Sequence, residues 1–382
     1  MSNPKEPAAV LNEFDLEGPV ISARPYGSGH INDTFLVTVQ TDDGGRAENA
    51  SRSREKRYIL QRMNDDIFHD PKALMENVVH VTSFLQQKIK EQGGDPERET
   101  LNIIRTKDGR SFVQDSEGNP WRMYRFIENA TSFDQVEKPD DFYQSALAFG
   151  RFQRMLADYP AGTLHETIPD FHNTPVRLAA FKKAVEEDVC RRAAGVEKEI
   201  RFILDREADT HVLTDLQAQG RLPLRVTHND TKLNNVMIDN ATGQGLCVID
   251  LDTVMPGLAL NDYGDSIRFG ASTAAEDETD LSKVSCDLEL FELYTRGFIE
   301  GCGGSLTEME LAMLPMGAKL MTLECGMRFL ADYLQGDIYF KTHRKGHNLD
   351  RCRTQLKLVW DMEKKWEQMQ AIVALYGGNT GK

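Results

Sequence analysis

Residues 227–235 read THNDTKLNN, and residues 246–250, LCVID, follow a short way along the chain. Asp230 precedes Asn235 by five positions, and the apolar run ends in a second carboxylate, Asp250. Residues 235–239 have the composition of a strand, residues 240–245 are rich in turn formers, and residues 246–250 have the composition of a returning strand. We therefore predict a β-hairpin with polar side chains at its open end.

Such a hairpin would place Asn235 opposite Asp250 if its turn is centred on residues 240–245. Directly opposed residues lie roughly 4.5–5.5 Å apart at Cα, so both side chains could bind one divalent ion. Asp230 would be placed to accept a proton from a substrate hydroxyl. Protein kinases have the same order along the chain: an Asp that acts as the base, an Asn that binds metal and a second Asp that binds metal. The order favours phosphoryl transfer, although each residue taken singly could cap a turn or end a strand.

The composition is that of an ordinary globular protein, with 382 residues, 40% of them apolar and 27% charged. This length accommodates two lobes with separate cores. The net charge of −15 disfavours nucleic acids and anionic membranes as partners. No apolar run is long enough to span a bilayer, and residues 1–6 lack the apolar core of a signal peptide. We expect a cytoplasmic monomer.

The first third of the chain has the pattern of a small antiparallel sheet with one helix. The helix should run from Pro71 to about Lys90. Strands are predicted at residues 20–26, 30–40, 57–63, 101–105, 111–114 and 121–127. Later helices should begin near Arg177, Gly195, Leu288, Glu308 and Asn348. We expect an α+β, two-lobed, protein-kinase-like fold, with a small antiparallel sheet lobe at 1–127 that binds nucleotide and a larger, mostly α-helical catalytic lobe at 128–382.

The turn between the first two strands contains Gly27, Ser28 and Gly29. Glycines there would let backbone N–H groups approach phosphates, although a glycine-rich hairpin can also be no more than a hairpin. In protein kinases the third strand carries a phosphate-binding lysine, whereas this chain has Gln61 at about that place. Either Gln61 or Arg62 contacts the nucleotide differently, or backbone amides and magnesium hold it, or the lobe no longer catalyses.

Glu324, Arg328 and Asp332 recur at helical spacing on one face of a predicted helix. The plainer interpretation is a ladder of surface ion pairs, which would contribute little stability. The alternative is that polar and aromatic groups between Arg328 and Tyr339 converge to recognise a polyol. The residues alone favour the ladder.

Two other segments carry predictions. Asp265 is expected to cap a helix or to brace the 227–235 loop, and Phe269 to line a substrate site. The polar stretch at residues 41–56 is expected to be a solvated hairpin tip, to which we assign no function.

These motifs together resemble the aminoglycoside phosphotransferase/choline kinase-like superfamily and, within it, the N-acetylhexosamine 1-kinases. The resemblance covers nearly the whole chain. It is carried by the stretches PYGSGHIN, YILQ, LRVTHNDTKLNN, VIDLDT, MPG, GDSIRFG and ECGMRFLADYL, at residues 25–32, 58–61, 224–235, 248–253, 255–257, 264–270 and 324–334. Because Gln61 is also found in that narrower family, the resemblance weakens the interpretation of a lobe that no longer catalyses.

The resemblance implies transfer of phosphate from ATP, with Mg²⁺, to the anomeric hydroxyl of GlcNAc or GalNAc. Asp230 would be the base, and Asn235 and Asp250 would bind magnesium. The nucleotide would be contacted by Gly27, Ser28, Gly29 and Gln61. The sugar would be contacted by His30, Phe269, Arg328 and Tyr339. A kinase for choline, homoserine or another sugar, and a nucleotide-binding protein without catalysis, are the alternatives.

Overall fold

A computed structural model of the chain describes residues 7–27, 32–41, 54–65, 67–134, 136 and 138–378. Ser28, Gly29 and His30 lie outside the described residues, as does most of the predicted hairpin tip, at positions 42–53. The chain forms two compact units, Met1–Ala130 and Thr131–Lys382. None of the described helices is long and apolar enough to cross a membrane.

The first unit is built on an antiparallel sheet with the strand order β1-β2-β3-β5-β4. Its elements are α1 (Ala8–Leu11), β1 (Val20–Pro25), β2 (Asp33–Thr41), β3 (Arg54–Arg62), α2 (Pro71–Glu91), β4 (Val113–Gln114) and β5 (Pro120–Arg125). Val37, Leu60 and Met123 come from three neighbouring strands and are fully shielded from solvent. They form one core with residues of α1, because alternate positions along each strand face the same side.

Helix α2 begins where the sequence predicts. Asp70 is its N-cap and accepts a hydrogen bond from the backbone N–H of Ala73 at 2.9 Å, and Pro71 occupies the first helical position. By contrast, the strand predicted at 101–105 is wrong, because only an isolated bridge forms there, between Ile103 and Tyr124. The Asn102 amide donates to nearby backbone carbonyl groups, and such local bonds compete with a regular strand.

The second unit is mainly helical, as predicted. From the junction onward the elements are β6 (Ala130–Thr131), α3 (Pro139–Met155), α4 (Thr174–Glu187), α5 (Glu197–Leu204), α6 (Glu207–Thr210), α7 (Val212–Ala218), β7 (Arg225–Thr227), β8 (Val236–Asp239), β9 (Gly245–Val248), β10 (Met255–Gly257), α8 (Ala259–Gly270), α9 (Leu288–Cys302), α10 (Glu308–Gln335), α11 (His347–Lys364) and α12 (Trp366–Gly377).

Helix α10 is central to the second unit, where it packs against α4, α8, α11 and α12. Its contact with α8 is close because two glycines meet there. A Cβ atom on Gly264 would lie 2.4 Å from the backbone oxygen of Gly317, which is far inside van der Waals contact. On its other side, α8 buries Tyr263 against the rings of Tyr294 and Phe298. Helix α8 is therefore held rigidly in place, and it forms the support of the site described next.

Candidate active site

The 227–235 segment is a loop held at both ends by strands. Strand β7 pairs antiparallel with β10, with Thr227 opposite Met255, and a short 3₁₀ turn, Leu233–Asn235, leads into β8. Between them Asn229 has a φ of 65°, a left-handed conformation that few residues other than glycine adopt. A left-handed conformation of this kind is stable only when surrounding contacts hold it.

Asp262 of α8 holds the first half of the loop. Its two carboxylate oxygens accept the backbone N–H groups of His228, at 2.9 Å, and of Asn229, at 2.8 Å. Gln153 of α3 donates a third hydrogen bond at 2.7 Å. Asp262 is fully buried, and burial raises the pKa of its carboxyl group against the opposing effect of these donors. The turn at Asn229 is thus fixed by a buried acceptor that the helix supplies.

Asp265, one helical turn further along α8, holds the second half of the loop. It accepts the backbone N–H of Thr231 at 3.0 Å, and the Arg268 guanidinium lies 3.0 Å from its other oxygen. Burial acts to raise the pKa of the Asp265 carboxyl group, but the charges of Arg268 and Lys232 prevail and lower it. The prediction that Asp265 braces the loop is confirmed.

Asp230 lies between these two supports and makes a different set of contacts. One carboxylate oxygen is 2.8 Å from the ammonium of Lys232, and the other accepts a hydrogen bond from the Asn235 amide at 3.1 Å. The same amide also donates to the backbone oxygen of Asp230 at 2.7 Å. The side chain of Asp230 is 27% exposed and that of Lys232 is 37% exposed. Both oxygens are therefore oriented while the group stays accessible.

Lys232 is a member of this group that the sequence did not single out. Burial acts to lower the pKa of its ammonium, but the neighbouring carboxylates of Asp230 and Asp265 raise it above the usual value. Lys232 is therefore cationic at neutral pH. The sequence does contain a signal for Lys232, because a lysine two positions after the candidate base Asp230 could have been expected to lie beside it.

Strands β8 and β9 form the predicted hairpin, but its register differs by one residue. Val236 pairs with Val248, and the backbone N–H of Ile249 donates to the oxygen of Asn235 at 2.9 Å. The prediction that Asn235 lies directly opposite Asp250 is therefore wrong. Ile249 faces Asn235, and Asp250 is the residue after it. Its φ of 60° ends the alternation of the strand, so the direction of its side chain could not be deduced from strand spacing.

The donors at the hairpin end are oxygen atoms of the kind that Mg²⁺ prefers. The Asn235 Nδ2 atom is turned toward Asp230. Its Oδ1 atom accepts no hydrogen bond from any residue that the structure describes. Asp250 supplies a half-buried carboxylate next to it in the hairpin. An amide oxygen and a carboxylate fit Mg²⁺, which takes few protein ligands and completes its shell with phosphates and water.

Glu324 of α10 is fully enclosed rather than on the surface. His172 Nδ1 lies 2.9 Å from one of its oxygens, and the Thr174 hydroxyl donates to the other at 2.8 Å. Burial acts to raise the pKa of the Glu324 carboxyl group, but His172 and Arg328 lower it. The second ring nitrogen of His172 lies 3.5 Å from the backbone oxygen of Asn229. Glu324 thereby acts on the loop through His172, a residue that no sequence motif indicated.

Asp332, two turns further along α10, is also buried. Its carboxylate accepts the backbone N–H groups of Ile338, Tyr339 and Phe340 at 2.8 to 3.0 Å. It therefore fixes the segment that follows the helix. The surface-ladder interpretation is wrong for Glu324 and Asp332, because spacing along a helix defines a face but does not show whether another element covers it.

Arg328 lies between these two carboxylates among aromatic rings. The central carbon of its guanidinium group is 5.5 Å from the ring centre of Phe171, 5.8 Å from that of Tyr339 and 5.5 Å from that of Phe340. The structure thus brings together Arg328 and Tyr339, two of the four predicted sugar contacts. Phe269 lies half-buried on α8.

Gln61 has a definite role within the first unit. Its side-chain oxygen accepts two hydrogen bonds from Arg122 of β5, at 3.1 and 2.9 Å, and its amide donates to Thr34 at 3.2 Å. Arg122 is completely buried and directly opposite Gln61 in the sheet. At the place where a lysine was sought, the chain therefore has a glutamine that orients a buried arginine. Gly27 has a φ of 79°, which suits the predicted turn.

A family model for phosphotransferase enzymes, APH, matches residues 22–284, which is well over half of the sequence. The chain belongs to the APH phosphotransferase family. The resemblance to the aminoglycoside phosphotransferase/choline kinase-like superfamily is confirmed, and the loop of Asp230 and the hairpin of β8 and β9 both fall within the matched residues.

Solved structures of similar fold accord with this membership. An aminoglycoside phosphotransferase from Alicyclobacillus acidocaldarius has a TM-score of 0.58 at 11% identity, covering 100% of this chain and 98% of its own. A microcompartment-associated aminopropanol kinase has a TM-score of 0.55 at 16% identity, covering 94% and 97%. An amicoumacin kinase solved with AMP-PNP, Ca²⁺ and amicoumacin has a TM-score of 0.54 at 12% identity, covering 94% and 91%. The predicted kinase-like fold, with a small antiparallel sheet lobe and a larger helical lobe, is confirmed.

Membership of the APH family makes the chain a phosphotransferase, but it does not select the acceptor. The solved structures of similar fold are named for different acceptors, among them antibiotics and a small amino alcohol. The acceptor has to be inferred from the residues around Asp230.

Proposed function

We propose that this APH-family phosphotransferase is an ATP-dependent kinase acting on the anomeric hydroxyl of GlcNAc and GalNAc. The products would be the sugar 1-phosphate and ADP. The proposal combines the resemblance of the motifs to N-acetylhexosamine 1-kinases with the arrangement of side chains near the loop of Asp230.

The observation that carries the proposal is the aromatic cluster around Arg328. Phe171, Tyr339 and Phe340 offer apolar ring faces for the C–H groups of a sugar, while the guanidinium offers hydrogen-bond donors for its oxygens. Phe171 is next to His172, whose ring reaches the backbone of the loop at Asn229. A cluster of this composition favours a polar, ring-shaped acceptor.

Asp230 would act as the general base. It would hold the anomeric hydroxyl and take its proton as the new bond forms between O1 and the γ-phosphorus and the bond from that phosphorus to ADP breaks. Lys232 and Asn235 keep the carboxylate in one orientation before the sugar arrives. Phosphoryl transfer depends mainly on such positioning and on charge neutralisation.

Asn235 and Asp250 would bind Mg²⁺ in the working enzyme. The ion would neutralise charge on the phosphates of ATP. Lys232, with its raised pKa, supplies a permanent positive charge beside the base. We infer that it contacts the transferring phosphoryl group as Asp230 receives the proton.

In the sheet unit, we assign the nucleotide phosphates to the turn that contains Gly27, Ser28 and Gly29. The buried Arg122, oriented by Gln61, supplies a positive potential at the third strand in place of the kinase lysine. Gln61 would thus support the nucleotide site by positioning Arg122.

The two alternatives have less support. A choline kinase needs aromatic faces for a quaternary ammonium, but in this cluster the guanidinium of Arg328 already lies over three rings. A nucleotide-binding protein without catalysis would have no need of Asp230, Lys232 and Asn235 in mutual contact. Both observations favour the sugar kinase.

The test is ADP release from ATP and Mg²⁺ with GlcNAc, GalNAc, glucose, galactose and choline as acceptors. We expect release with the two N-acetylated sugars and none when their anomeric oxygen is methylated. Release that survives methylation would place the phosphate on another hydroxyl. Release with choline alone would contradict the proposed acceptor class.

A further inference from the structure

A cavity of about 280 Å³ lies in the second unit, on the side of the loop reached by Asn229. Its walls come from three segments of chain, at residues 166–174, 213–224 and 255–261, together with two residues of α10. Neither Asp230, Arg328 nor Tyr339 is among the residues that line it. The cavity therefore differs from the Arg328 cluster in most of its lining, and Phe171 belongs to both.

Two buried asparagines face this cavity. Asn261, at the start of α8, is 8% exposed, and its side-chain amide makes no hydrogen bond with any described residue. Asn229 is 5% exposed. Its Nδ2 atom donates to the backbone oxygen of Thr253 at 2.8 Å, whereas its Oδ1 atom accepts nothing from the described part of the chain. Because both side chains open on the cavity, their unused hydrogen-bonding atoms are available to an external partner.

The charge of the lining disfavours an anionic partner. Glu166 and Asp170 carry negative charge at the rim, and within the described residues no lysine or arginine lines the cavity. Apolar side chains, including Leu213, Met255 and Met321, share the wall with polar ones, among them His172, Thr214 and Gln217. A concave wall that combines apolar surface with polar groups is typical of sites for small molecules.

We propose that this cavity binds a small uncharged molecule that carries a carboxamide or N-acyl group. An amide both donates and accepts hydrogen bonds, so it can satisfy the amide of Asn261 and the free oxygen of Asn229 together. Leu213, Met255 and Met321 would cover its hydrocarbon part. Because Asn229 directly precedes Asp230, the occupant would touch the loop beside the proposed base. The proposal does not depend on which sugar the enzyme phosphorylates.

The test follows the methyl groups of Met255 and Met321 by NMR of the full chain labelled at methionine methyls. The probe is acetamide, and sodium acetate is its anionic counterpart of nearly the same shape. We expect acetamide to shift both methyl resonances saturably, with a dissociation constant in the millimolar range for so small a ligand. We expect acetate to leave them in place. The experiment needs neither ATP nor a sugar, so its result is independent of the kinase assay.

Asn261→Leu removes the amide at similar volume and should weaken acetamide binding at least tenfold. Leu213→Trp fills the cavity from α7 while leaving both asparagines in place, and should abolish binding even if Asn261→Leu folds poorly. Gln355→Leu is the matched control, because Gln355 is another buried amide with an unpartnered oxygen, in α11, and does not line the cavity. It should bind acetamide as the wild type does.

The proposal is overturned if neither methyl responds to acetamide, which would mean that water alone fills the cavity. It is also overturned if acetate produces the same shifts, or if the Leu213→Trp protein still responds. A response confined to Met255 and Met321, lost in both cavity variants and retained in the control, establishes the site.

Discussion

The loop that contains Asp230 and helix α8 use their carboxylates in opposite ways. On α8, Asp262 and Asp265 are buried and accept backbone N–H groups of the loop. In the loop, Asp230 is partly exposed and, among the described residues, its carboxylate is contacted by the side chains of Lys232 and Asn235.

The difference distinguishes carboxylates that we expect to hold the loop in place from one that we expect to take part in the reaction. A buried carboxylate that accepts backbone N–H groups of the loop cannot give up those hydrogen bonds without leaving buried groups unsatisfied. A carboxylate held by two side chains can exchange contacts when a substrate hydroxyl arrives. The comparison predicts that substitutions on α8 reduce stability together with activity, whereas substitutions at Asp230 and Lys232 reduce activity alone.

The largest effect is expected from Asp230→Asn. The amide keeps the volume of the side chain but is not basic, so kcat should fall about 10³-fold, within the range for loss of a general base. The thermal midpoint should change little, since the group is partly exposed and supports no backbone. Activity within tenfold of the wild type would remove Asp230 from its proposed role.

Lys232→Met should lower kcat about 100-fold, because it removes the cation beside the base while keeping the aliphatic chain. Lys232→Arg restores the charge and should recover part of the loss. Steady-state kinetics with ATP and GlcNAc give the comparison. If the methionine and arginine variants were equally impaired, geometry rather than charge would explain the effect.

Asp262→Asn tests the other side of the comparison. The amide presents an N–H₂ group to a backbone N–H, so the free energy of unfolding should fall by about 2 kcal/mol and kcat should fall with it. The matched control is Asp361→Asn, which alters another buried carboxylate that accepts a backbone N–H, that of Cys286 at 2.7 Å. The control should lose stability in urea unfolding and keep its kcat. Normal kcat in Asp262→Asn would contradict the supporting role of α8.

Arg328→Leu should raise the KM for the sugar about tenfold, which corresponds to about 1.4 kcal/mol, with little change in the KM for ATP. The control is Arg296→Leu, in which a surface arginine over the ring of Tyr143 is removed. The control should leave both constants unchanged. A rise in the KM for ATP in Arg328→Leu would contradict the assignment of this cluster to acceptor binding.

The smallest effect concerns Asp115, a supporting carboxylate in the sheet unit. Burial acts to raise its pKa, but hydrogen bonds from Trp121 and Asn119 prevail and lower it to about 2. A lowered folded-state pKa contributes stability above the unfolded value, roughly 3.9, which is lost as the pH falls toward 2.

Asp115→Asn should therefore be less stable than the wild type at pH 7, by about 1 kcal/mol. The gap should narrow between pH 4 and pH 2, as followed by urea unfolding of the two proteins at each pH. A gap that does not change with pH would mean that the charge of Asp115 is not what stabilises the turn.

Local patterns were sufficient for much of the fold. Helix α2 could be placed because Asp70 and Pro71 define its start, and the strand, turn and strand after Asn235 could be recognised from composition. The strand at 101–105 could not be excluded, because its loss depends on side-chain bonds of Asn102.

The candidate site was predictable to the extent that it is local. Asp230 and Asn235 lie in one loop, and their contact follows from their spacing. The roles of His172, Glu324 and Asp262 depend on helices that meet only in the folded chain, and no short-range pattern encodes such meetings. The same holds for Gln61, whose partner Arg122 is on another strand.

The most direct test of the proposed function is the position of the new phosphate in the product. The enzyme would be incubated with ATP, Mg²⁺ and GlcNAc, and the sugar analysed by ¹H and ³¹P NMR. We predict that phosphorus couples to the anomeric H1 proton, and that the product does not form with Asp230→Asn. Coupling to the C6 protons, or the same product from the variant, would contradict an anomeric kinase that uses Asp230 as its base.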